Sequence, residues 1–168
     1  MLEKNLSNDW YGWLSISWSE SNRTDDINQV TTEYYLDTPW VINAVANYKI
    51  NNRWDIGLRY SARSGAKYTP IIGIKPNPDY PDQYLAEYGD LNSKTLPTYS
   101  RLDIQATYQY QLFGKPAAWT FAVINALAQK NVSGYYFLPD GSETPDNFTI
   151  ESEEGIGIFP SIGFEFTF

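Results

Sequence analysis

The side chains of this chain that can engage another molecule are tyrosines and charged groups, because histidine and cysteine are both absent. That absence excludes imidazole- and thiolate-based catalysis and leaves no imidazole or thiolate to hold a metal. What remains is recognition chemistry. A tyrosine offers a flat ring for stacking and a hydroxyl for hydrogen bonding. Tyr68, Tyr80, Tyr84 and Tyr88 crowd one proline-rich stretch, and Tyr135 and Tyr136 stand together in another. All six are candidate ligand contacts, with solvated loop surface as the equal alternative. Arg59, Arg63, Arg101 and Asp103 fall at even spacings that place them on one side of extended chain. They would guide an anionic ligand or grip a neighbouring domain; the preferred reading is that they pair with one another, since a charge leaving water needs compensation.

Other candidates are weaker. Asp140, Gly141, Ser142, Glu143 and Asp146 supply oxygen ligands without the spacing of a calcium loop. Gly155-Ile156-Gly157-Ile158-Phe159-Pro160 misses the last glycine of a dinucleotide fingerprint and leads into a strand. No metal, cofactor or catalytic residue is expected, and the chain is read as not an enzyme.

Composition narrows the partners. Against 12 basic residues stand 20 acidic ones, a net charge of −8 over 168 residues that argues against a nucleic-acid partner. Aromatics make up 17%, with 6 Trp and 14 Tyr, which suits a surface meeting lipid headgroups or a ligand. No run approaches the roughly 20 apolar residues of a membrane helix, but barrel strands would not produce one. The opening Met1-Leu2-Glu3-Lys4-Asn5 lacks the apolar core of a signal peptide.

The elements that must position these groups are strands. Trp10, Leu14, Ile16 and Trp18 alternate with Tyr11, Trp13, Ser15 and Ser17. Trp40 to Ile50 and Trp54 to Arg63 repeat the alternation around an Asn51-Asn52-Arg53 turn. Leu102, Ile104, Ala106, Tyr108, Tyr110 and Leu112 oppose Arg101, Asp103, Gln105, Thr107, Gln109 and Gln111. A turn at Phe113-Gly114-Lys115-Pro116 returns the chain through Trp119, Phe121, Val123 and Leu127, and Ile158, Ile162, Phe164, Phe166 and Phe168 close it. Polar stretches at about 22–38, 64–97 and 129–155 read as long loops. Pro160, which cannot donate to a ladder, predicts a bulge or frayed pairing. Short and long connections therefore alternate, with the short ones at one end of the sheet, as in outer-membrane barrels. Trp10, Tyr48, Trp54, Tyr108, Tyr110, Trp119, Phe166 and Phe168 gather near the short turns, and Trp18, Trp40 and Tyr60 near the other end. Two such bands suit the two faces of a bilayer.

Ser161, Gly163, Phe166 and Phe168 resemble the C-terminal signal read by the bacterial outer-membrane assembly machinery. Asp37 to Asn43, Tyr60 to Pro70, Leu96 to Ile104 and Asn125 to Val132 are similar to successive stretches near the C-terminus of TonB-dependent outer-membrane receptors. Ala126 and Ala128 stand where that family often has bulkier residues. The resemblance implies an all-β antiparallel meander of about six strands, with Met1 to Lys4 as the tail of another. Residues 1–168 would form the C-terminal quarter to third of a plugged barrel of roughly 22 strands, without its plug domain. It implies a bacterial outer-membrane location and uptake of a scarce nutrient such as a siderophore or other metal chelate, a vitamin or an oligosaccharide. Expected partners are the remaining barrel and plug, the TonB energising complex through a segment not in this sequence, the assembly machinery and lipid. Two alternatives stay open: a small self-contained barrel with adhesive loops, and a soluble lectin-like protein whose Leu102 to Leu112 face lies under a second sheet.

Overall fold

A computed structural model describes residues 1–7, 9–27, 29–80, 82–139 and 143–167. Phe168, Pro81, Asp140, Gly141 and Ser142 lie outside the described residues. The chain is all-β, with no helix among those residues. In order, its strands are β1 (Leu2–Ser7), β2 (Trp10–Trp18), β3 (Asn22–Asp25), β4 (Val30–Glu33), β5 (Trp40–Lys49), β6 (Trp54–Arg63), β7 (Lys67–Tyr68) and β8 (Ile71–Pro76). There follow β9 (Tyr84–Tyr88), β10 (Lys94–Thr95), β11 (Tyr99–Leu112), β12 (Lys115–Ile124), β13 (Val132–Phe137), β14 (Ile150–Glu154) and β15 (Phe159–Phe166). Seven of them form one open antiparallel sheet in the order β1-β2-β5-β6-β11-β12-β15. The stretch expected as the tail of a strand is thus a full seventh strand, β1.

Register decides what this sheet presents. Because residues directly opposite share a face, the row Trp10, Tyr48, Ile56, Ala106, Phe121, Ile162 runs unbroken across six strands. The next rows are Ala46, Leu58, Ile104, Val123 and Trp54, Tyr108, Trp119, Phe164. A slip of one residue at any seam would turn a whole strand over, so five matched seams mean that the sequence is patterned for one apolar face. Among the described residues nothing covers that face. Ile104 is 38% exposed, Phe121 44% and Phe164 50%, and among the described residues only Ala62, Ile74 and Ala117 are buried apolar side chains. Among the described residues no second sheet lies over Leu102 to Leu112, as a lectin-like sandwich would need. Rings cluster along the short-turn end, with Trp54 and Tyr108 centroids 4.9 Å apart and Trp119 and Phe164 4.8 Å apart.

The other face is polar and satisfies itself across strands. Ser61 Oγ donates to Asn43 Oδ1 at 2.8 Å, Gln109 Nε2 donates to Asp55 Oδ2 at 2.8 Å, and the Thr107 and Thr120 hydroxyls lie 3.4 Å apart. The short turns are built as the sequence suggests. Asn51 Oδ1 accepts from the amides of Arg53 (2.8 Å) and Trp54 (3.0 Å), and Phe113 (φ 51°) and Gly114 (φ 74°) make a two-residue turn with both φ angles positive.

Three expectations are corrected. The long connections are not plain loops: β3 pairs with β4, β7 with β10, β8 with β9 and β13 with β14, folding each into small hairpins. Their runs are too short, and too interrupted by Pro70, Pro76 and Gly134, to show alternation in the sequence. Second, β12 stops at Ile124 instead of continuing to Leu127, because Asn125 takes φ 53° and turns the chain. Third, Pro160 neither bulges nor frays, and pairs in register with Val123. The Thr167 amide donates to Pro116 O at 3.1 Å, which sets the phase of the ladder. Ser161, Gly163 and Glu165 therefore turn their backbone groups toward β12, whereas Pro160 turns its nitrogen to the outer edge, where no bond to β12 is lost.

Gly65 fixes how the 64–98 connection leaves the sheet. A Cβ there would sit 1.7 Å from Leu96 O, and the neighbouring Ala66 O accepts the Leu96 amide at 2.9 Å. Gly65→Ala is expected to force these two backbones apart and to lose that bond, costing about 2 kcal/mol or more. Limited proteolysis within 64–98 should accelerate severalfold and, because Lys67 and Asn92 of that connection hold Glu33, cleavage in 19–39 should rise with it while the sheet strands stay protected.

Candidate functional site

The charged and tyrosine side chains expected to engage a ligand lie on one face of β6 and β11 and in the long connections. Arg59 stands opposite Asp103 and Arg63 opposite Tyr99 across the β6–β11 seam. The ion pair forms along β11 instead: Arg101 donates to Asp103 Oδ2 from Nε (3.1 Å) and Nη2 (2.8 Å). Arg63 places its guanidinium 4.7 Å from the Tyr99 ring centroid. Asp103 Oδ1 accepts the Asn125 amide at 3.0 Å, so this carboxylate ties Arg101 to the bend that ends β12.

That bend is the most enclosed point of the molecule. Asn125 is 0% exposed, the one fully buried large side chain among the described residues. Its Nδ2 donates to Gln129 O (3.0 Å) and Ile156 O (2.9 Å), and its Oδ1 accepts the Gln129 amide (3.2 Å). Nearby, Asn131 accepts from Ser100 N and donates to Ser100 O, both at 2.9 Å. The reason follows from the ladder. Ser100 faces the side on which β12 would continue; once β12 turns off at Asn125, an amide side chain takes the place of the missing strand. The start of the 125–158 connection is thereby anchored to β11, and its end is tied to that start through Ile156 O and the Gly155 amide, which donates to Asn131 O at 2.9 Å. Sequence reading did not single out Asn125 or Asn131 as structural groups. The signal for the first was an asparagine at a strand end, where a positive φ is tolerated.

A cleft of ≈ 540 Å³ opens between the first two long connections, lined by Arg23, Thr32, Glu33, Tyr34, Tyr35, Lys67, Tyr68, Leu91 and Asn92. Lys67 forms an ion pair with Glu33, and Asn92 Nδ2 donates to Glu33 O at 3.2 Å, locking the β3–β4 hairpin to the 64–98 connection. Arg23 lies 4.0 Å over the Tyr34 ring, and Tyr34 and Tyr35 meet edge to face at 4.7 Å. Tyr68 continues this wall toward the third connection, its ring 5.1 Å from that of Tyr135. Of the six tyrosines expected as ligand contacts, only Tyr68 lines this cleft, with the Tyr135 ring tilted against it. Tyr136 donates its hydroxyl to Glu151 Oε2 at 2.9 Å. Tyr84 and Tyr88 belong to β9, Tyr88 and Tyr80 being more than half exposed and outside the cleft. Arg23, Tyr34, Tyr35 and Asn92 were not anticipated; the adjacent tyrosine pair in a polar stretch was the available sign.

Burial, and secondarily Tyr135, push the Tyr68 hydroxyl above its ordinary pKa of 10.0. A phenol raised on folding holds its proton more tightly in the native state, so its contribution to stability is complete below pH 10.0 and is lost as pH climbs through the raised value. The Tyr68–Tyr135 contact is therefore expected to loosen only in strong alkali. In Tyr68→Phe the alkaline change in hydrogen exchange around 64–70 and 132–137 should shrink.

Charge is unevenly spread. Of 20 acidic residues, fifteen lie in the connections 19–39, 64–98 and 126–158, with only five of the 12 basic ones. The long-connection end is thus strongly negative, and the sheet with its short turns slightly positive. Among the described residues no cluster of three carboxylates could hold a metal ion, and Glu143 and Asp146 do not make one.

The fold and its surfaces define an antiparallel all-β chain with one apolar and one polar sheet face and recognition groups concentrated at one end. Comparison with protein-family models, curated proteins and solved structures finds no match.

Proposed function

We propose that this chain is a wall segment of a transmembrane β-barrel of the TonB-dependent receptor type in the bacterial outer membrane. In this reading it takes part in energised uptake of a scarce nutrient. The observation that carries the reading is the uncovered apolar face, matched in register across the sheet and backed by a polar face. In water such a face would drive association, since exposed apolar patches of this kind are rare on monomers. Against lipid tails it needs no cover, and the polar face would border a hydrated interior. The ring clusters at the short-turn end suit a headgroup boundary. The three long connections with their tyrosines would then face outward and meet the ligand, with Arg59, Arg63, Arg101 and Asp103 lining the interior. The plug, the remaining barrel, the energising complex and the assembly machinery are the partners this reading requires.

The test is topological. In cells producing the protein, the sheet should resist alkaline extraction from outer membranes, and external protease should cut within 19–39, 64–98 and 126–158 while sparing the strands. A water-soluble monomer with a cooperative melt would defeat the proposal.

A further inference from the structure

The cleft between the first two long connections is basic and aromatic, at an end of the molecule that is otherwise acidic. Two of the five basic residues in the three long connections, Arg23 and Lys67, line it. Among the described residues Glu33 is the one acidic side chain in the lining. Lys67 pairs with Glu33 and offsets it, which leaves the charge of Arg23 uncompensated within the cleft. Asp25 lies two residues further along β3 but outside the lining, and its Oδ1 accepts the Ile27 amide at 2.9 Å. We propose that this cleft binds a small aryl carboxylate, its flat ring laid against the tyrosines and its single negative charge on Arg23.

Arg23 suits the carboxylate. Its guanidinium lies 4.0 Å over the Tyr34 ring, a contact that holds the group in place and consumes none of its N–H donors. Those donors form a planar fork that a carboxylate can accept two at a time, whereas the ammonium of Lys67 has no such fork and is engaged by Glu33. Rings come from both walls, Tyr34 and Tyr35 from the first connection and Tyr68 from the second. Tyr68 is steadied by Tyr135, 5.1 Å away. Tyr35 is 51% exposed and Leu91 68%, so apolar surface in the lining stands open to water, and a flat ring would cover it. The volume of ≈ 540 Å³ lies within the range of small-molecule sites.

The surroundings select the charge. A cation would be repelled by Arg23 and Lys67 and drawn to the acidic surface elsewhere on the connections. An ion with several negative charges would feel that same acidic excess at the rim, because screening is incomplete within roughly 8 Å. A neutral sugar would stack on the tyrosines and leave Arg23 without a partner. One negative charge on a flat ring meets all three conditions. That the bound molecule is cargo rests on the barrel reading above; that the cleft binds it does not.

Saturation-transfer NMR on outer membranes of producing cells tests the assignment, with membranes lacking the protein as the blank. The probes are benzoate, benzyl alcohol, benzylamine, terephthalate and methyl glucoside. Benzoate should bind about tenfold more tightly than each of the others, as one charge-assisted pair implies. Arg23→Gln should weaken benzoate by about tenfold and leave benzyl alcohol unchanged, and Arg23→Lys should recover only part of the loss. Limited proteolysis in 19–39 and 64–98 shows whether the cleft stays closed in these variants. Tyr35→Leu keeps Arg23 and removes a ring, so it should weaken benzoate and benzyl alcohol alike, which gives a second reading if Arg23→Gln opens the hairpin. Any other probe binding as tightly as benzoate, or benzoate binding indifferent to both Arg23→Gln and Tyr35→Leu, overturns the inference. Selective benzoate binding by a water-soluble monomer would sustain it while defeating the barrel reading. A membrane-resident chain that binds all the probes alike would do the reverse.

Discussion

Asn125→Ala should loosen the two ends of the 125–158 connection from each other, while the backbone amide of residue 125 and the Asn131 side chain keep its start on β11 and the other two connections stay in place. The substitution strips partners from Ile156 O and from the amide and carbonyl of Gln129, all bonded to one side chain that is 0% exposed. Each bond lost in this part-buried setting costs about 0.5–1.5 kcal/mol, and the left-handed φ of 53° is less favourable for alanine by roughly 1 kcal/mol. A local loss of about 3 kcal/mol or more would speed amide exchange roughly a hundredfold at Gln129 and along β14. Asn125→Gly separates the two contributions, because glycine accepts the backbone angle but makes none of the bonds. It should recover only the smaller, conformational part. If Asn125→Ala leaves exchange unchanged, the buried asparagine is not the anchor.

Asp103 makes the same point from the opposite strand. It holds Arg101 with one oxygen and the Asn125 amide with the other, so a carboxylate whose preferred reading in the sequence is pairing with a neighbouring charge also holds the bend. A strand's alternation shows that Asp103 shares a face with Arg101, but not that the neighbouring strand bends away beside it. The apolar and polar sheet faces were legible because their period is 2 and holds for eight or more residues in the strands from Trp10, Trp40, Trp54 and Tyr99. The hairpins in the long connections were not, since a pairing such as β7 with β10 spans two residues on each side. The cleft was hidden for another reason. Tyr34, Tyr35 and Arg23 come from one connection and Tyr68 and Asn92 from the next, and their meeting depends on the Lys67–Glu33 pair, which no local pattern announces. Of the four residues that resemble an assembly signal, Ser161, Gly163 and Phe166 lie on β15 opposite Ala122, Thr120 and Ala117.

Ile104→Arg is the substitution that most sharply divides a lipid-facing sheet from a water-facing one. Ile104 lies on the apolar face within β11, between the ring cluster around Tyr108 and the long-connection end. On a barrel wall this is near the bilayer midplane, where an arginine costs about 2–4 kcal/mol, and the equilibrium ratio of inserted to uninserted chain should fall roughly thirtyfold or more. On a sheet in water the same change, at a side chain already 38% exposed, should stay within about 0.5 kcal/mol and would improve solubility. Gln105→Arg is the matched control: the next residue, on the polar face, beside Gly57 and Ala122. It should be tolerated in both cases. Urea titration of the inserted chain in bilayers measures the difference, and the sign of the comparison is what counts. A lipid-facing sheet makes Ile104→Arg far worse than Gln105→Arg, whereas a face in contact with water makes the two alike.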